Sequence, residues 1–525
     1  MPQLEQTNNE KLTKTELIFL ILAATVTITV LSTCSPLYPF NLWDDVNCFF
    51  TLGRGIIHGK VPYRDLYEQK GPLLYFIYAL AALINDKTFV GPWIIECVMA
   101  SFFSVFSWKT AKLFVKPERF AIALVPVLNA LIYTVYMFNY GGNAEELCFP
   151  LITAAFYIGL RSIVKGDGLP LNREAVACGL ITSALFWIKY TFIGFMAGFC
   201  IYILVLTIKR KDFVRLWSLV WRFLLGFIVI TVPILIYFLA TGSLKYLLEA
   251  YFYNNIFLYH NVKSATSGIQ SIPVVNNIYI TVIYLIVISI MYPVFGALLI
   301  LSIISLFFSG RKNYKKTLFF FGITFLLQSV TIYLKSNVYY YSYILSYCFC
   351  LILIPLIIGL NALGKAFKKQ TMILKVLVCV LLLAVYTVTL LLNKNTFLFL
   401  KNKDDVAQYR IAQTINQTPD AKVLTYDIMD SGFFTAAGIL PANRFYCYLN
   451  IEHGYPAVLE EQTRLIREGY FDYIVTDCLF ESNWNNYEVV QTETDLIVDF
   501  RGTKRFEGYK LYKRIKPGVT FPEPR

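Results

Sequence analysis

The sequence has few charged residues for its length. Charged side chains make up 15% of the 525 residues, whereas hydrophobic side chains make up 57%; a soluble domain has about 25% charged residues. Apolar stretches of about 18 residues or more recur from Leu17 to Leu392, each long enough to cross roughly 30 Å of hydrocarbon. These properties exclude an ordinary soluble protein and indicate a polytopic α-helical membrane protein.

Several motifs of soluble enzymes are also missing. The 11 cysteines include no Cys-x-x-Cys pair and no Cys/His cluster at zinc spacing. Neither a Gly-rich phosphate loop nor the pattern of a soluble sugar-nucleotide fold is found. The sequence therefore names no metal ligand and no nucleotide site, and it leaves open whether a divalent metal is required.

The excess of positive charge lies among the apolar segments. The net charge is +13, but residues 393–525 hold 16 basic and 18 acidic side chains, so residues 1–392 hold 31 basic and 16 acidic ones. With the N-terminus in the cytoplasm, 21 of those 31 fall in cytoplasmic segments, as the positive-inside rule requires. The charge therefore indicates membrane orientation, and it does not indicate a nucleic-acid surface.

Hydropathy predicts about eleven transmembrane helices within residues 1–392. They cover residues 17–38, 90–113, 120–139, 146–164, 174–188, 191–208, 217–240, 277–305, 317–334, 342–360 and 371–392. The apolar stretch 72–84 is too short to cross, and it predicts a re-entrant or interfacial helix that begins at Pro72, because proline is favoured in a first helical turn. An odd number of spans places the C-terminus outside.

The polar tail, residues 393–525, predicts an extracytoplasmic α/β domain. β-type runs lie at residues 422–426, 473–476, 487–491 and 509–512, and helical patterns lie at residues 404–415 and 458–467. Cys447 and Cys478 fall in this tail. A disulfide between them and two free thiols are both open.

The first outer loop, about residues 39–87, concentrates charge. Five of the nine basic residues predicted outside lie in it. An anionic ligand such as a lipid phosphate explains this, and so does a loop folded by its own ion pairs. Asp44 and Asp45 follow the first span. One of them acts as general base on an acceptor hydroxyl, or both mark the membrane edge beside Trp43.

These motifs together resemble the type C (GT-C) membrane glycosyltransferases, which include protein O-mannosyltransferases and the lipid A aminoarabinose transferase. The resemblance rests on the acidic pair after the first span, on Gly59-x-x-Pro62-Tyr63-x-Asp65, and on Lys70-Gly71-Pro72 opening an apolar helix. The order of loop, spans and outer domain matches too. Asp-Asp here replaces the more common Asp-Glu, and Gly71 replaces the first proline of Lys-Pro-Pro.

The resemblance implies roles for particular residues. Asp44 corresponds to the catalytic base, with Asp45 beside it, and Lys70 corresponds to a ligand of the carrier phosphate. Glu145 or Glu146 corresponds to a second acidic residue on the next outer loop, although a hydrophilic cap on the following span explains them equally well.

Two further cations are candidate phosphate ligands. Arg64 lies in the first outer loop, and Lys189 lies between two apolar stretches, where a charge is costly and therefore a candidate for function. A lysine that reaches to the interface explains Lys189 equally well.

The function hypothesis is transfer of a sugar from a polyprenyl-phosphate carrier to a hydroxyl of an envelope glycan, lipid or protein, at the outer face of the plasma membrane. The rival hypothesis is a carrier or flippase for a lipid-linked or polar solute. Transporters often show internal repeats and ionisable residues near the bilayer midplane, whereas this sequence shows no repeat and concentrates its ionisable residues in the outer loop.

Overall fold

The chain is mainly helical, as the sequence predicts. A computed structural model describes residues 11–135, 138, 140–258, 274–308, 314–333, 339–366, 371–451, 454–498 and 504–515. The first nine helices are α1 (Lys14–Leu31), α2 (Asp44–Ile57), α3 (Pro72–Ile84), α4 (Val90–Phe114), α5 (Leu124–Tyr133), α6 (Ala144–Lys165), α7 (Asn172–Lys189), α8 (Gly194–Arg210) and α9 (Phe213–Ala240). The next six are α10 (Leu244–Leu247, continued as a π-helix over Leu248–Leu258), α11 (Val274–Met291), α12 (Pro293–Ser305), α13 (Tyr314–Tyr333), α14 (Leu353–Ala366) and α15 (Thr371–Leu391).

Eight helical segments within the described residues are long and apolar enough to cross a membrane. They are Lys14–Leu31, Val90–Phe114, Ala144–Lys165, Asn172–Phe192, Phe213–Ala240, Tyr314–Tyr333, Tyr341–Gly364 and Met372–Leu391. Four shorter apolar helices accompany them, and one is Pro72–Ile84, whose bounds match the prediction. The predicted span 277–305 is broken at Tyr292, because Pro293 cannot continue the hydrogen bonding of α11 and instead begins α12. The chain is a multi-pass membrane protein.

The chain forms two compact units. The first comprises Met1–Ser32, Ile95–Pro233 and Ile272–Asn393, and the second comprises Thr33–Ile94, Ile234–Ser271 and Lys394–Arg525. The second unit thus contains the first outer loop as well as the polar tail. The division predicted from the sequence, at residue 392, lies next to the start of that tail segment and stays a prediction.

In the first unit, close approach between helices depends on glycines. A side-chain carbon at Gly179 of α7 would lie 2.0 Å from the carbonyl oxygen of Phe223 in α9, and one at Gly198 of α8 would lie 2.6 Å from the Cα of Thr324 in α13. Small residues let helix backbones approach in this way within a membrane, where packing replaces the hydrophobic effect.

The tail of the second unit carries a four-stranded sheet of order β1-β2-β4-β3. Its strands are β1 (Val423–Thr425), β2 (Tyr473–Asp477), β3 (Tyr487–Val498) and β4 (Lys504–Arg514), and its helices are α16 (Ala407–Ile415), α17 (Phe433–Ala437) and α18 (Ala457–Arg467). β1 pairs parallel with β2, whereas β4 runs antiparallel to both neighbours. The predicted α/β fold of the tail is confirmed.

All 11 cysteines are free thiols. Cys447 and Cys478 are therefore not joined. Cys447 lies beside Cys48 of α2, within the same unit.

α2 and α3 pack backbone to backbone in the second unit, and this contact places the residues of the first outer loop. A side-chain carbon at Gly53 of α2 would lie 2.5 Å from the carbonyl group of Tyr78 in α3. The Phe49 ring, one turn earlier, meets the Tyr78 ring edge to face with centroids 5.6 Å apart. Only glycine fits at position 53 without moving one of the two helices.

We therefore expect Gly53→Ala to destabilise the protein by about 1–3 kcal/mol, the usual cost of overpacking. Gly322→Ala is the matched control, since an added carbon there meets no atom within 4 Å and helix propensity favours alanine. Thermal melting of the purified proteins in detergent measures both. Equal melting temperatures for Gly53→Ala and wild type would contradict the contact.

Candidate functional site

A tight turn in the second unit explains the Gly-x-x-Pro-Tyr-x-Asp motif. The Asp65 carboxylate accepts a hydrogen bond from the Val61 N–H at 2.7 Å, and the Asp65 N–H donates to the Val61 carbonyl at 2.9 Å. Gly59 and Tyr63 have φ angles of +84° and +67°, a region that glycine enters freely and tyrosine rarely. The turn buries Tyr63 completely.

The buried Tyr63 holds the backbone of Lys70. Its hydroxyl donates to the Lys70 carbonyl at 2.7 Å, and the Tyr75 hydroxyl, whose one hydrogen goes to Glu68, lies 3.1 Å from the same oxygen. The Lys70 N–H donates to a Glu68 carboxylate oxygen at 2.7 Å. The backbone position of Lys70 is therefore fixed before its side chain makes any contact.

The Lys70 ammonium lies between two carboxylates. Its Nζ is 3.5 Å from Glu68 and 3.7 Å from Asp45, and 5.4 Å from the centre of the Phe49 ring. Both carboxylate distances exceed the roughly 2.7–2.9 Å of a charge-assisted hydrogen bond. The lysine is thus held electrostatically, with 18% of its side chain exposed.

Glu68 is the buried member of this group. Burial raises the pKa of its carboxyl group, but the Lys70 ammonium and hydrogen bonds from Tyr75 and the backbone outweigh burial and hold the pKa below its usual value. Glu68 therefore stays ionised beside Lys70. No sequence motif assigns a role to Glu68, although it lies two residues before Lys70.

Asp44 and Asp45 form the first turn of α2. Helix N-termini favour negative side chains, because the N–H groups there point out of the helix. The two carboxylates have different partners: Asp45 faces Lys70, whereas Asp44 accepts a hydrogen bond from the Ser431 hydroxyl at 2.9 Å. The two neighbouring carboxylates therefore differ in the side chains that they contact.

Asp430, beside Ser431, is fully buried against α2. It accepts hydrogen bonds from the Thr51 hydroxyl at 2.6 Å and from the Gly432 N–H at 2.9 Å. Burial raises the pKa of Asp430 to about 6, although these hydrogen bonds and the Arg54 charge act in the opposite direction. No sequence signal marked Asp430 or Ser431, because nothing nearby in the chain resembles a motif.

Arg64 forms an ion pair with its neighbour Asp65. Its guanidinium contacts both oxygens of Asp65, at 2.8 and 2.9 Å, and donates to the Thr241 carbonyl at 3.2 Å. These contacts stabilise the turn that carries Tyr63. A role for Arg64 in phosphate binding stays a prediction.

In the first unit, Glu145 and Lys189 form an ion pair. Lys189 Nζ lies 2.9 Å from Glu145, with side-chain exposures of 12% and 7%, and 3.6 Å from the centre of the Tyr341 ring. A buried pair with an aromatic face is costly to break, because either charge alone would be left desolvated. The structure thus joins two residues that were predicted separately.

Glu146, the next residue, contributes to a helix cap. It is the capping-box residue of α6, where its carboxylate accepts from the backbone N–H of Asn143 at 3.3 Å. The preceding Gly141 and Gly142 have φ angles of +80° and +74°, and the Gly142 N–H donates to the buried Glu96 carboxylate. Glu146 was explained either as a second acidic site residue or as a hydrophilic cap on the following span. This geometry fits the cap.

The predicted site residues thus fall into two groups, each within one unit. The second unit holds Asp44, Asp45, Arg64 and Lys70, and the first holds Glu145, Glu146 and Lys189. Within the described ranges, no three or more His, Cys, Asp or Glu side chains converge as metal ligands would. No residue is therefore assigned to a metal.

Comparison with known proteins supports the fold. No protein-family model and no curated protein sequence matches the chain. Among solved structures, ArnT from Cupriavidus metallidurans bound to undecaprenyl phosphate superimposes with a TM-score of 0.57 at 12% identity, over 95% of this chain and 98% of that one. ArnT in the apo state gives 0.55 at 12% identity, over 94% and 98%. The chain has a GT-C-like membrane fold, as the motif resemblance implied.

The raised pKa of Asp430 predicts a pH-dependent stability. An unfolded aspartate titrates near pH 4, so the folded state loses stability as the pH rises from about 4 through 6. Asp430→Asn keeps the shape without the charge, so we expect its stability relative to wild type to increase by about 1 kcal/mol between pH 5 and pH 8.

Thermal melting across that pH range measures this difference, with Asp420→Asn as the control because Asp420 is exposed. A stability difference between Asp430→Asn and wild type that does not change with pH would contradict the raised pKa.

Proposed function

We propose that this chain is a glycosyltransferase that moves a sugar from a polyprenyl-phosphate carrier to an acceptor hydroxyl at the outer face of the plasma membrane. The observation that carries the proposal is the placement of Asp44, Asp45 and Lys70 together at the start of α2, in a chain with a GT-C-like fold. The undecaprenyl phosphate bound to one ArnT structure supports a carrier of this kind. The sugar and the acceptor stay unassigned.

In this proposal, Lys70 binds the carrier phosphate. An ammonium carries three donors, and its contacts with Asp45 and Glu68 are long for charge-assisted hydrogen bonds, which supports a phosphate oxygen as a further partner. Glu68 already receives hydrogen bonds from Tyr75 and from the backbone. The position of Glu68 therefore does not depend on the Lys70 ammonium, and Glu68 can hold Lys70 in place while the ammonium also binds phosphate.

Asp44 is the proposed general base. Ser431 holds its carboxylate through the 2.9 Å hydrogen bond to Oδ1, and we propose that the acceptor hydroxyl approaches this carboxylate. The acceptor hydroxyl gives its proton to Asp44 while its oxygen forms a bond to the anomeric carbon. The bond between that carbon and the phosphate oxygen breaks, and its electron pair leaves with the lipid phosphate.

Lys70 stabilises the charge that develops on the departing phosphate. Pre-placed charges of this kind act in the transition state without the cost of reorganising solvent. A single displacement inverts the configuration at the anomeric carbon. Asp44 then loses its proton to solvent and is ready for the next turnover.

The residues of the first unit keep their predicted roles as part of this proposal. Lys189 and Glu145 are proposed as substrate ligands that act as a pair, since the 2.9 Å contact links them. Glu146 also stays a proposed substrate ligand, in addition to capping α6. We propose a cytoplasmic N-terminus and an extracytoplasmic tail, the orientation that the positive-inside rule favours, with Asp44 on the outer side.

Removal of the Lys70 ammonium should weaken donor binding. We expect Lys70→Ala to raise the dissociation constant of a polyprenyl-phosphate sugar about ten- to a hundred-fold, since a hydrogen bond to a charged group contributes about 1.5–3 kcal/mol. Lys70→Arg keeps the charge but not the geometry, so its loss should be smaller.

Binding of fluorescent polyprenyl phosphate to purified protein measures this effect. Lys87→Ala, an exposed lysine of the same loop, is the matched control. Unchanged affinity in both Lys70 variants would remove Lys70 from the phosphate site.

Asp44→Asn should abolish turnover while leaving donor binding intact. Asparagine is nearly isosteric and still accepts the Ser431 hydrogen bond, but it cannot take the acceptor proton. General-base catalysis contributes about 10²–10⁴-fold, so we expect kcat to fall by that factor. Asp45→Asn should change the KM for donor more than kcat, because Asp45 contacts Lys70.

The assay is release of polyprenyl phosphate from a panel of polyprenyl-phosphate sugars by purified protein, followed by mass spectrometry. If no member of the panel is turned over by wild type, although envelope extracts supply the acceptor, the proposed function fails. Near-wild-type kcat in Asp44→Asn would remove the general-base role, and a larger loss in Asp45→Asn would assign that role to Asp45.

A further inference from the structure

One arginine of the polar tail is hydrogen-bonded twice to the first outer loop. The Arg444 Nε donates to the Tyr63 carbonyl at 2.8 Å, and the Arg444 carbonyl accepts from the Tyr67 N–H at 2.9 Å. The two bonds join the tail to both ends of the segment 63–67, within the second unit. The proposed function gives Arg444 no role.

The Arg444 guanidinium is held on its other sides as well. Its central carbon lies 5.3 Å from the centre of the Tyr67 ring, 5.2 Å from that of Tyr246 and 4.9 Å from that of Phe445. Its Nη2 lies 3.7 Å from a carboxylate oxygen of Glu249, in the π-helix of the same unit. Arginine stacks on aromatic faces while its planar fork keeps the donors in fixed directions. These contacts therefore favour the orientation in which Nε reaches the loop.

The bond from Arg444 falls on the residue of the loop whose backbone most needs support. Tyr63 has a φ angle of +67°, a region that tyrosine rarely adopts, and such a backbone persists only where surrounding contacts hold it. The Tyr63 N–H is held within the loop, by the Leu66 carbonyl at 2.7 Å. Its carbonyl is held from outside the loop, by Arg444.

Tyr63 connects this contact to Lys70. Its hydroxyl donates to the Lys70 carbonyl at 2.7 Å. The Tyr63 ring is fully buried and packs on the rings of Tyr75 and Phe238, with centroids 5.7 and 5.8 Å apart. A close-packed ring has little room to compensate for a shift of its own backbone. A change at the Tyr63 carbonyl is therefore passed on to the backbone of Lys70.

We propose that Arg444 is a positioning residue for the donor phosphate: it holds the Tyr63 turn and thereby keeps the Lys70 ammonium where the phosphate binds. Arg444 acts through Tyr63 and does not itself contact the donor. The inference rests on the proposed function, because it takes Lys70 as the ligand of the carrier phosphate. It assigns the tail a role in donor binding, in addition to the contact between Ser431 and Asp44.

The test begins with Arg444→Lys in the full-length protein. Lysine keeps the positive charge, and with it any long-range attraction of phosphate, but it loses the planar fork and its stacking. Binding of fluorescent polyprenyl phosphate to the purified protein measures the dissociation constant. We expect this constant to rise about three- to ten-fold, the range that one net hydrogen bond contributes. Arg467→Lys, at an exposed arginine of the same tail, is the matched control and should bind as wild type does.

The double variant Arg444→Lys with Lys70→Ala separates positioning from a general loss of structure. If Arg444 acts through Lys70, its substitution has no further effect once the ammonium is gone. The double variant should then bind within about two-fold of Lys70→Ala alone. Losses that multiply in the double variant would overturn the proposal, because they would assign Arg444 either a direct contact with the phosphate or a general structural role.

A second variant covers the case in which Arg444→Lys does not fold. Tyr63→Phe removes only the hydroxyl that donates to Lys70. Its affinity for the fluorescent lipid should fall by a similar factor in the wild-type background and should not fall further in the Lys70→Ala background. Unchanged affinity in Tyr63→Phe would contradict transmission through this residue.

Failure of this inference and failure of the proposed function give different results. Unchanged affinity in Lys70→Ala would refute the phosphate site itself, and the role of Arg444 with it. A loss of affinity in Lys70→Ala without a loss in Arg444→Lys would refute the role of Arg444 alone.

Discussion

The Lys70 ammonium, held between Asp45 and Glu68, is the interaction on which the second unit depends. A largely buried charge is costly unless it has partners, and this one is fixed through its backbone by Tyr63 and Glu68 and through its side chain by two carboxylates. The left-handed turn, the proline that opens α3 and the Gly53 contact between α2 and α3 all serve this placement. The motif residues are therefore mainly a scaffold for one cation.

Much of the architecture could be predicted, because it follows from local properties of the chain. Apolar length marks the spans, β-type runs mark all four strands, and Pro72 marks the start of α3 to the residue. The break at Tyr292 was missed because hydropathy does not register the effect of a single proline within an apolar run. The predicted boundaries of the spans differ from the observed ones because capping and 3₁₀ turns depend on a few polar contacts, which hydropathy does not register either.

The candidate site was predictable only where its residues are close in sequence. Asp44, Asp45 and Lys70 follow a motif that can be read in order. Ser431 and Asp430 could not be found, because a serine and an aspartate in a tail carry no signal until folding brings them to α2. The roles of Glu145 and Glu146 could not be separated either, since only the geometry shows that one pairs with Lys189 and the other caps α6.

The hydrogen bond between Ser431 and Asp44 joins residues 387 positions apart. During synthesis, Asp44 leaves the ribosome with the first helices, whereas its partner emerges only after the last apolar helix, α15. The Asp44 carboxylate is therefore synthesised long before the Ser431 side chain that donates a hydrogen bond to it. A chain that ends before residue 431 contains Asp44 and Lys70 but lacks the hydroxyl that donates to Asp44.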